Sequence, residues 1–243
     1  MSGHSKWSTI KRKKAAIDAK RGKIFTKLIK EITVAARNGG GDPDANPRLR
    51  LAVDNAKAAN MPADNIDRAI KKATGELEGA IFHEVTYEGY APGGVAVMIE
   101  SVTDNKNRTV AEIRHAFTKY GGSLAESGSV SYGFDRKGVI TMPAQGKTED
   151  DIMEIVLDAG ADDIELEDDY FEITTSLETF EPVRRALIDA GLEVENASLQ
   201  WVAQNTIEVK GEESEKILKL IDLLEDNDDV QNVFTNADFV EEE

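Results

Sequence analysis

From Ile24 to Ala36 the apolar residues Ile24, Phe25, Leu28, Ile29, Ile32, Ala35 and Ala36 return at helical spacing, while Lys23, Lys27 and Lys30 fall on the other side. The pattern predicts an amphipathic helix with a basic outer face, ended by Asn38-Gly39-Gly40-Gly41-Asp42-Pro43. Asn46 then caps a second helix, with Pro47 at its first position and Leu49, Ala52, Val53 and Ala56 turned inward. Met61-Pro62 breaks it, and Ile66, Ala69, Ile70 and Ala73 mark a third helix that stops at Gly75. The segment before this bundle has only Trp7, Ile10 and Ile17 along one side. So narrow a stripe leads us to expect an arm that orders mainly on binding.

After Glu78 the period changes to two. Val85 and Tyr87, then Val95, Val97 and Ile99, mark a hairpin whose tip, Tyr90-Ala91-Pro92-Gly93-Gly94, suits a type II turn. Thr109-Val110-Ala111-Glu112 has capping-box spacing and predicts a helix closed by Gly121-Gly122, with a strand near 129–134 to follow. Strands at 138–142, 163–167, 170–175 and 193–202, with helices at 149–159 and 178–190, then give β-α-β-β-α-β, the split unit of a ferredoxin-like domain. The remaining strand 206–210, helix 213–224 and strand 230–235 are too short to bury a core alone, so they should complete the earlier hairpin, helix and strand. The expected class is α+β: a three-helix N-terminal domain followed by two ferredoxin-like α+β domains, the third inserted in the second. The corresponding bounds are 1–78 for the arm and bundle, 79–136 with 206–240 for the discontinuous middle domain, and 137–205 for the insert.

Charge changes the picture more than size does. The 243 residues hold 29 Lys and Arg against 46 Asp and Glu, a net of -17, which taken alone argues against a polyanionic partner. Residues 1–75, however, carry 17 basic against 7 acidic residues, net +10, and the rest carry 12 against 39, net -27. Within the first thirty residues, Lys6, Lys11, Arg12, Lys13, Lys14, Lys20, Arg21, Lys23, Lys27 and Lys30 face only Asp18. Such a cluster best serves phosphate neutralisation with counterion release. Zero cysteines remove disulfide, thiolate-zinc and iron-sulfur chemistry, and the absence of long apolar runs or a signal-like apolar stretch points to a cytoplasmic protein.

Several strings carry a family resemblance. Gly3-His4-Ser5-Lys6-Trp7, Asp18-Ala19-Lys20-Arg21-Gly22-Lys23-Ile24-Phe25-Thr26-Lys27, Gly39-Gly40-Gly41-Asp42-Pro43 and Asn46-Pro47-Arg48-Leu49-Arg50 stand in the first part. Tyr87-Glu88-Gly89-Tyr90, Pro92-Gly93-Gly94, Asn107-Arg108-Thr109-Val110-Ala111-Glu112 and Arg114-His115-Ala116-Phe117 follow in order. Together they resemble the YebC family of gene-expression regulators, with Ala91 standing where that family has glycine. The resemblance implies three domains and no catalytic residues. It also implies a nucleic-acid partner, since members are described as DNA-binding transcriptional regulators, while others look like translation factors that relieve ribosomal pauses at proline-rich stretches.

The candidate nucleic-acid-binding residues are therefore His4, Lys6, Trp7, Lys11, Arg12, Lys13, Lys14, Lys20, Arg21, Lys23, Lys27, Lys30, Arg48 and Arg50. Pro92, Gly93 and Gly94, with Lys106 and Arg108 near a helix start, form a candidate second anion contact through exposed backbone N–H groups. The acidic domains would meet a basic protein or a ribosomal partner. A metal-dependent enzyme would need Asp226, Asp228 and Asp229, or the acids at 162–169, as a Mg²⁺ site. Their alternation with apolar residues, and the lack of a calcium-loop glycine and distal glutamate, argue against it. No cofactor motif is present, and a P-loop string is missing. The reading is a non-enzymatic regulator that binds duplex DNA or ribosomal RNA through its basic head.

Overall fold

The computed structural model describes residues 21–167 and 169–240. They divide into two compact units, residues 133–206 and the remainder. The second of these opens with three helices, α1 (Arg21–Gly39), α2 (Pro47–Ala58) and α3 (Ala63–Ala73). Asn46 does two jobs at the turn between α1 and α2. Its Oδ1 accepts the Leu49 N–H, capping α2, and its Nδ2 donates to the carbonyls of Ala35 and Gly40, tying the cap to the end of α1. Gly40 takes a φ of +91°, which stops α1 without side-chain strain. Ile32, Ala35, Ala36, Leu49, Ala52, Val53, Ala56, Met61, Ile66 and Ala69 form the bundle core, mostly the residues that the helical spacing places inward.

The same unit continues into β1 (His83–Tyr90) and β2 (Ala96–Thr103), antiparallel from His83↔Thr103 to Tyr90↔Ala96. Helix α4 (Lys106–Lys119) and the short β3 (Ser123–Ala125) follow. Near the C-terminus come β8 (Ile207–Val209), α7 (Gly211–Glu225), β9 (Val230–Thr235) and β10 (Ala237–Phe239). The sheet order is β3-β1-β2-β9, with β9 joining β2 through Val97↔Thr235. Strands from before and after residues 134–203 thus share one sheet. Its connections run β-β-α-β and then α-β, not the β-α-β-β-α-β of the ferredoxin-like pattern.

The other unit holds β4 (Phe134–Pro143), α5 (Glu149–Val156), β5 (Ala161–Glu167), β6 (Tyr170–Thr175), α6 (Phe180–Asp189) and β7 (Asn196–Ala203). All its pairings are antiparallel, in the order β5-β6-β4-β7. Thr148 and Asp151 close a capping box at the start of α5. The structure is α+β throughout, helical first and antiparallel-sheet afterwards. Among the described residues no helix is long and apolar enough to cross a membrane.

Three local expectations are corrected. Helix α4 begins at Lys106, capped by Asn105, whose side chain accepts the Arg108 N–H, so Thr109 lies inside the first turn and is fully buried. Residues 129–133 form no strand. The loop there wraps the buried carboxylate of Glu88, which accepts N–H groups from Gly128 at 2.8 Å, Val130 at 2.7 Å and Ser131 at 3.0 Å. Strand β8 joins no four-stranded sheet but pairs in parallel with β10, a strand that the pattern did not mark. At the hairpin tip, Gly93 and Gly94 adopt φ of 71° and 75° as a glycine-dependent turn requires, and the Ala91 N–H donates to Val95 O at 2.8 Å to close the loop.

Candidate nucleic-acid interface

Lys23, Lys27 and Lys30 lie at i, i+4 and i+7, which puts them on one face of α1. That face is only partly open to solvent, against expectation. It meets the C-terminal end of α7 and the loop after it, with one lysine to each of three carbonyls. Lys27 Nζ donates to Glu225 O at 2.9 Å, Lys23 to Asp226 O at 3.0 Å and Lys30 to Asp228 O at 2.7 Å. Lys23 adds an ion pair with Asp226 at 3.3 Å. The cause is elementary: the last turn of a helix leaves carbonyls without partners and carries partial negative charge, so ammonium groups are the natural complement. Lys30 is 8% exposed, and its ammonium also lies 5.6 Å from the centre of the Phe82 ring.

Lys30 ends on Asp229. Its Nζ sits 2.8 Å from Asp229 Oδ1, while Oδ2 accepts Arg108 Nη2 at 2.6 Å, Thr109 Oγ1 at 2.9 Å and Thr103 Oγ1 at 3.1 Å. Burial alone would raise this carboxyl's pKa, but hydrogen bonds from Lys30, Arg108 and Thr109 more than offset it and bring the value down to about 2. Arg108, expected as an anion contact, is committed to Asp229 and Asp104. Asp229, weighed as a Mg²⁺ ligand, instead holds two cations. Among the described residues, no group of three or more histidines and acids is arranged to hold a metal.

Arg48 and Arg50 diverge as their spacing predicts, yet both bond within the protein. Arg48 forms a fork with Glu31 at 2.8 and 3.1 Å and reaches Glu84 at 2.6 Å, joining α1, α2 and β1. Burial would lower its pKa, but the two carboxylates outweigh that and hold it firmly charged. Arg50 Nη1 donates to the carbonyls of Pro43 and Asp44. The candidate second contact does not assemble. Pro92-Gly93-Gly94 sits at the tip of the hairpin, whereas Lys106 and Arg108 follow the opposite end of β2, an eight-residue strand roughly 23 Å long. A side-chain carbon added at Gly93 would lie 3.2 Å from the Glu213 carboxylate, so the tip faces an acid, not a cation.

His4, Lys6, Trp7, Lys11, Arg12, Lys13, Lys14 and Lys20 lie outside the described residues, as do the Arg21 side chain and Asp168. The partners that sequence reasoning missed are Glu31, Glu84 and Asp229. The acidic run 225–229 was visible, but nothing in its spacing says that a helix two hundred residues earlier supplies its cations.

The fold defines a class of α+β protein, a three-helix domain followed by antiparallel-sheet domains. The known proteins narrow it. Residues 5–76 match the model for the TACO1/YebC protein N-terminal domain, and residues 82–237 match that for the TACO1/YebC second and third domain. The chain belongs to the TACO1/YebC family. It is 58% identical over 242 residues to a probable transcriptional regulatory protein of Chlorobaculum tepidum, covering 99% of this chain and 96% of that one. A protein of the same description from Desulfatibacillum aliphaticivorans is 59% identical over 238 residues, covering 98% and 96%. The crystal structure of a conserved hypothetical protein from Aquifex aeolicus matches with a TM-score of 0.87 at 49% identity, covering 94% of each chain.

Proposed function

We propose that this protein is a non-enzymatic, cytoplasmic nucleic-acid-binding regulator of gene expression that grips a phosphate backbone with its basic arm and helical head. The observation that carries this reading is the division of a net -17 into +10 over residues 1–75 and -27 beyond them. Relatives described as probable transcriptional regulatory proteins, at close to 60% identity over nearly the whole chain, support it. DNA is the ligand that their description suggests. The organisation proposed with it has the residues 137–205 domain, ferredoxin-like in strand order, inserted within the middle domain at 79–136 and 206–240.

A second reading, binding to ribosomal RNA as a translation factor, is favoured by the acidic body. A net of -27 over residues 76–243 resists lying along duplex DNA, whereas a ribosome offers RNA to the head and basic proteins to the body. Under either reading, Lys30 and Arg48 already hold carboxylates, which leaves the arm as the main source of phosphate contacts. Cosedimentation with ribosomes, set beside binding to random duplex DNA at one physiological salt concentration, separates the two. Tight, sequence-selective duplex binding without ribosome association supports transcription. The reverse supports translation, and binding to neither discards the functional reading.

A further inference from the structure

Five of the eight residues from Asp222 to Asp229 are acidic, and this segment lies along the lysine face of α1. Oxygen atoms are presented to Lys27, Lys23 and Lys30 in turn by Glu225, Asp226 and Asp228, with the carboxylates of Asp226 and Asp229 beside them. Anionic or partly anionic oxygens set against three lysines spread over two turns of one helix face offer those ammonium groups the same kind of partner as the phosphate oxygens of a nucleic-acid backbone. The strength of the contact is graded. Lys30 and Asp229 are buried, whereas the Lys23 and Asp226 side chains are 43% and 46% exposed, in the range where ion pairs contribute little and exchange readily with other anions.

We propose that residues 222–229 act as an internal mimic of a phosphate backbone, occupying Lys23 and Lys27 until nucleic acid displaces them while Lys30 and Asp229 hold the pivot. The inference rests on the nucleic-acid reading above and assigns it a regulated site: the lysine face of α1, closed by the end of α7. Binding then requires the two elements to part at their exposed end. By linkage, weakening the internal contact tightens nucleic-acid binding, by the same factor as long as the closed form dominates. The exposed acids Asp226 and Asp228 are the ones to change, since neither is buried and their main-chain carbonyls survive substitution.

The test compares the full chain with a double variant, Asp226→Asn with Asp228→Asn, for binding a random-sequence duplex DNA and a random-sequence single-stranded RNA across a salt series. A control, Asp67→Asn with Glu78→Gln, removes the same charge from exposed positions away from the lysine face. The expected result is about two- to fivefold tighter binding for the first variant, with a steeper salt dependence, and a much smaller change for the control. Equal tightening by both variants, or no tightening by the first, overturns the mimic and leaves the functional reading standing. Failure of every protein to bind either nucleic acid overturns both. A second measurement uses the cysteine-free background, with spin labels at Lys57→Cys and Lys119→Cys. Saturating nucleic acid should lengthen the distance between them, and an unchanged distance in a complex known to form overturns the opening.

Discussion

Lys30 and Asp229 meet 2.8 Å apart with both side chains less than a tenth exposed, one from the first helix and the other from the loop before β9. The pair joins the helical domain to the α+β domain that follows it. Arg108, Thr103 and Thr109 complete the carboxylate's shell, so removal of Lys30 leaves a buried acid with one cation in place of two. Lys30→Met is expected to cost roughly 2 kcal/mol in urea unfolding, less than for an isolated buried pair because Arg108 remains. Lys30→Met with Asp229→Asn should cost less than the two single changes added together, which a double-mutant cycle reads directly.

Acid should find this site as well. Asp229 has its pKa depressed from the ordinary 3.8 to about 2 when folded. A depressed folded value means that the unfolded chain binds the proton first. The carboxylate therefore contributes stability that is fully present above pH 4 and is lost as pH falls from about 4 through about 2. In Asp229→Asn the fall in urea midpoint over that window should be shallower than in the parent, with the two curves parallel above it. Curves that stay parallel down to pH 2 would contradict the assignment.

Much of the architecture is legible in the chain, and the misses have physical reasons. Asn46-Pro47 and the inward run of Leu49, Ala52, Val53 and Ala56 state a helix start and its buried face through local geometry alone. The sequence does not place the start of α4, because Asn105 and Thr109 are both competent caps and the choice depends on the Thr109 hydroxyl having buried partners in Thr103 and Asp229. The lysine face of α1 is ambiguous for a similar reason. Periodicity records which residues avoid water, and a lysine whose stem is covered while its ammonium meets carbonyls leaves the same trace as one facing solvent. Glu31, Glu84 and Asp229 were invisible as partners because each contact joins distant parts of the chain.

Glu88 organises its neighbourhood through three N–H groups, and burial, which would raise its pKa, is outweighed by those hydrogen bonds so that the carboxylate stays charged. Glu88→Gln keeps the shape but turns one acceptor into a donor pointed at backbone donors. The expected loss is about 1 to 3 kcal/mol. Amide hydrogen exchange at residues 128–131 should accelerate more than exchange in the helical bundle; uniform acceleration would instead mean that Glu88 supports the whole unit.

Gly138 is pinned by its surroundings, not by its backbone angles. A side-chain carbon there would come within 2.4 Å of both Phe180 and the Thr175 hydroxyl. Gly138→Ala must push α6 away from β4, and overpacking of this kind costs about 1 to 3 kcal/mol. Gly133, with open space beyond it, is the matched control, and Gly133→Ala should be nearly neutral in thermal unfolding.

Two groups of cations that sequence alone places together should have different partners. Arg48 stands with the arm as a candidate phosphate contact, yet its guanidinium already holds Glu31 and Glu84. Arg48→Ala should therefore lower stability by about 1 kcal/mol, as expected for a half-exposed bridging arginine, and leave the salt dependence of nucleic-acid binding unchanged. Replacing Lys11, Arg12, Lys13 and Lys14 together by alanine should do the opposite. If each neutralises one phosphate of a duplex, the slope of log K against log salt becomes shallower by roughly 3 to 4, while the unfolding midpoint stays where it was. Measurement of both quantities on both variants distinguishes the roles, because a phosphate contact moves the slope and a structural bridge moves the midpoint. A shallower slope in Arg48→Ala with unaltered stability would return Arg48 to the binding surface and show that Glu31 and Glu84 yield it to nucleic acid.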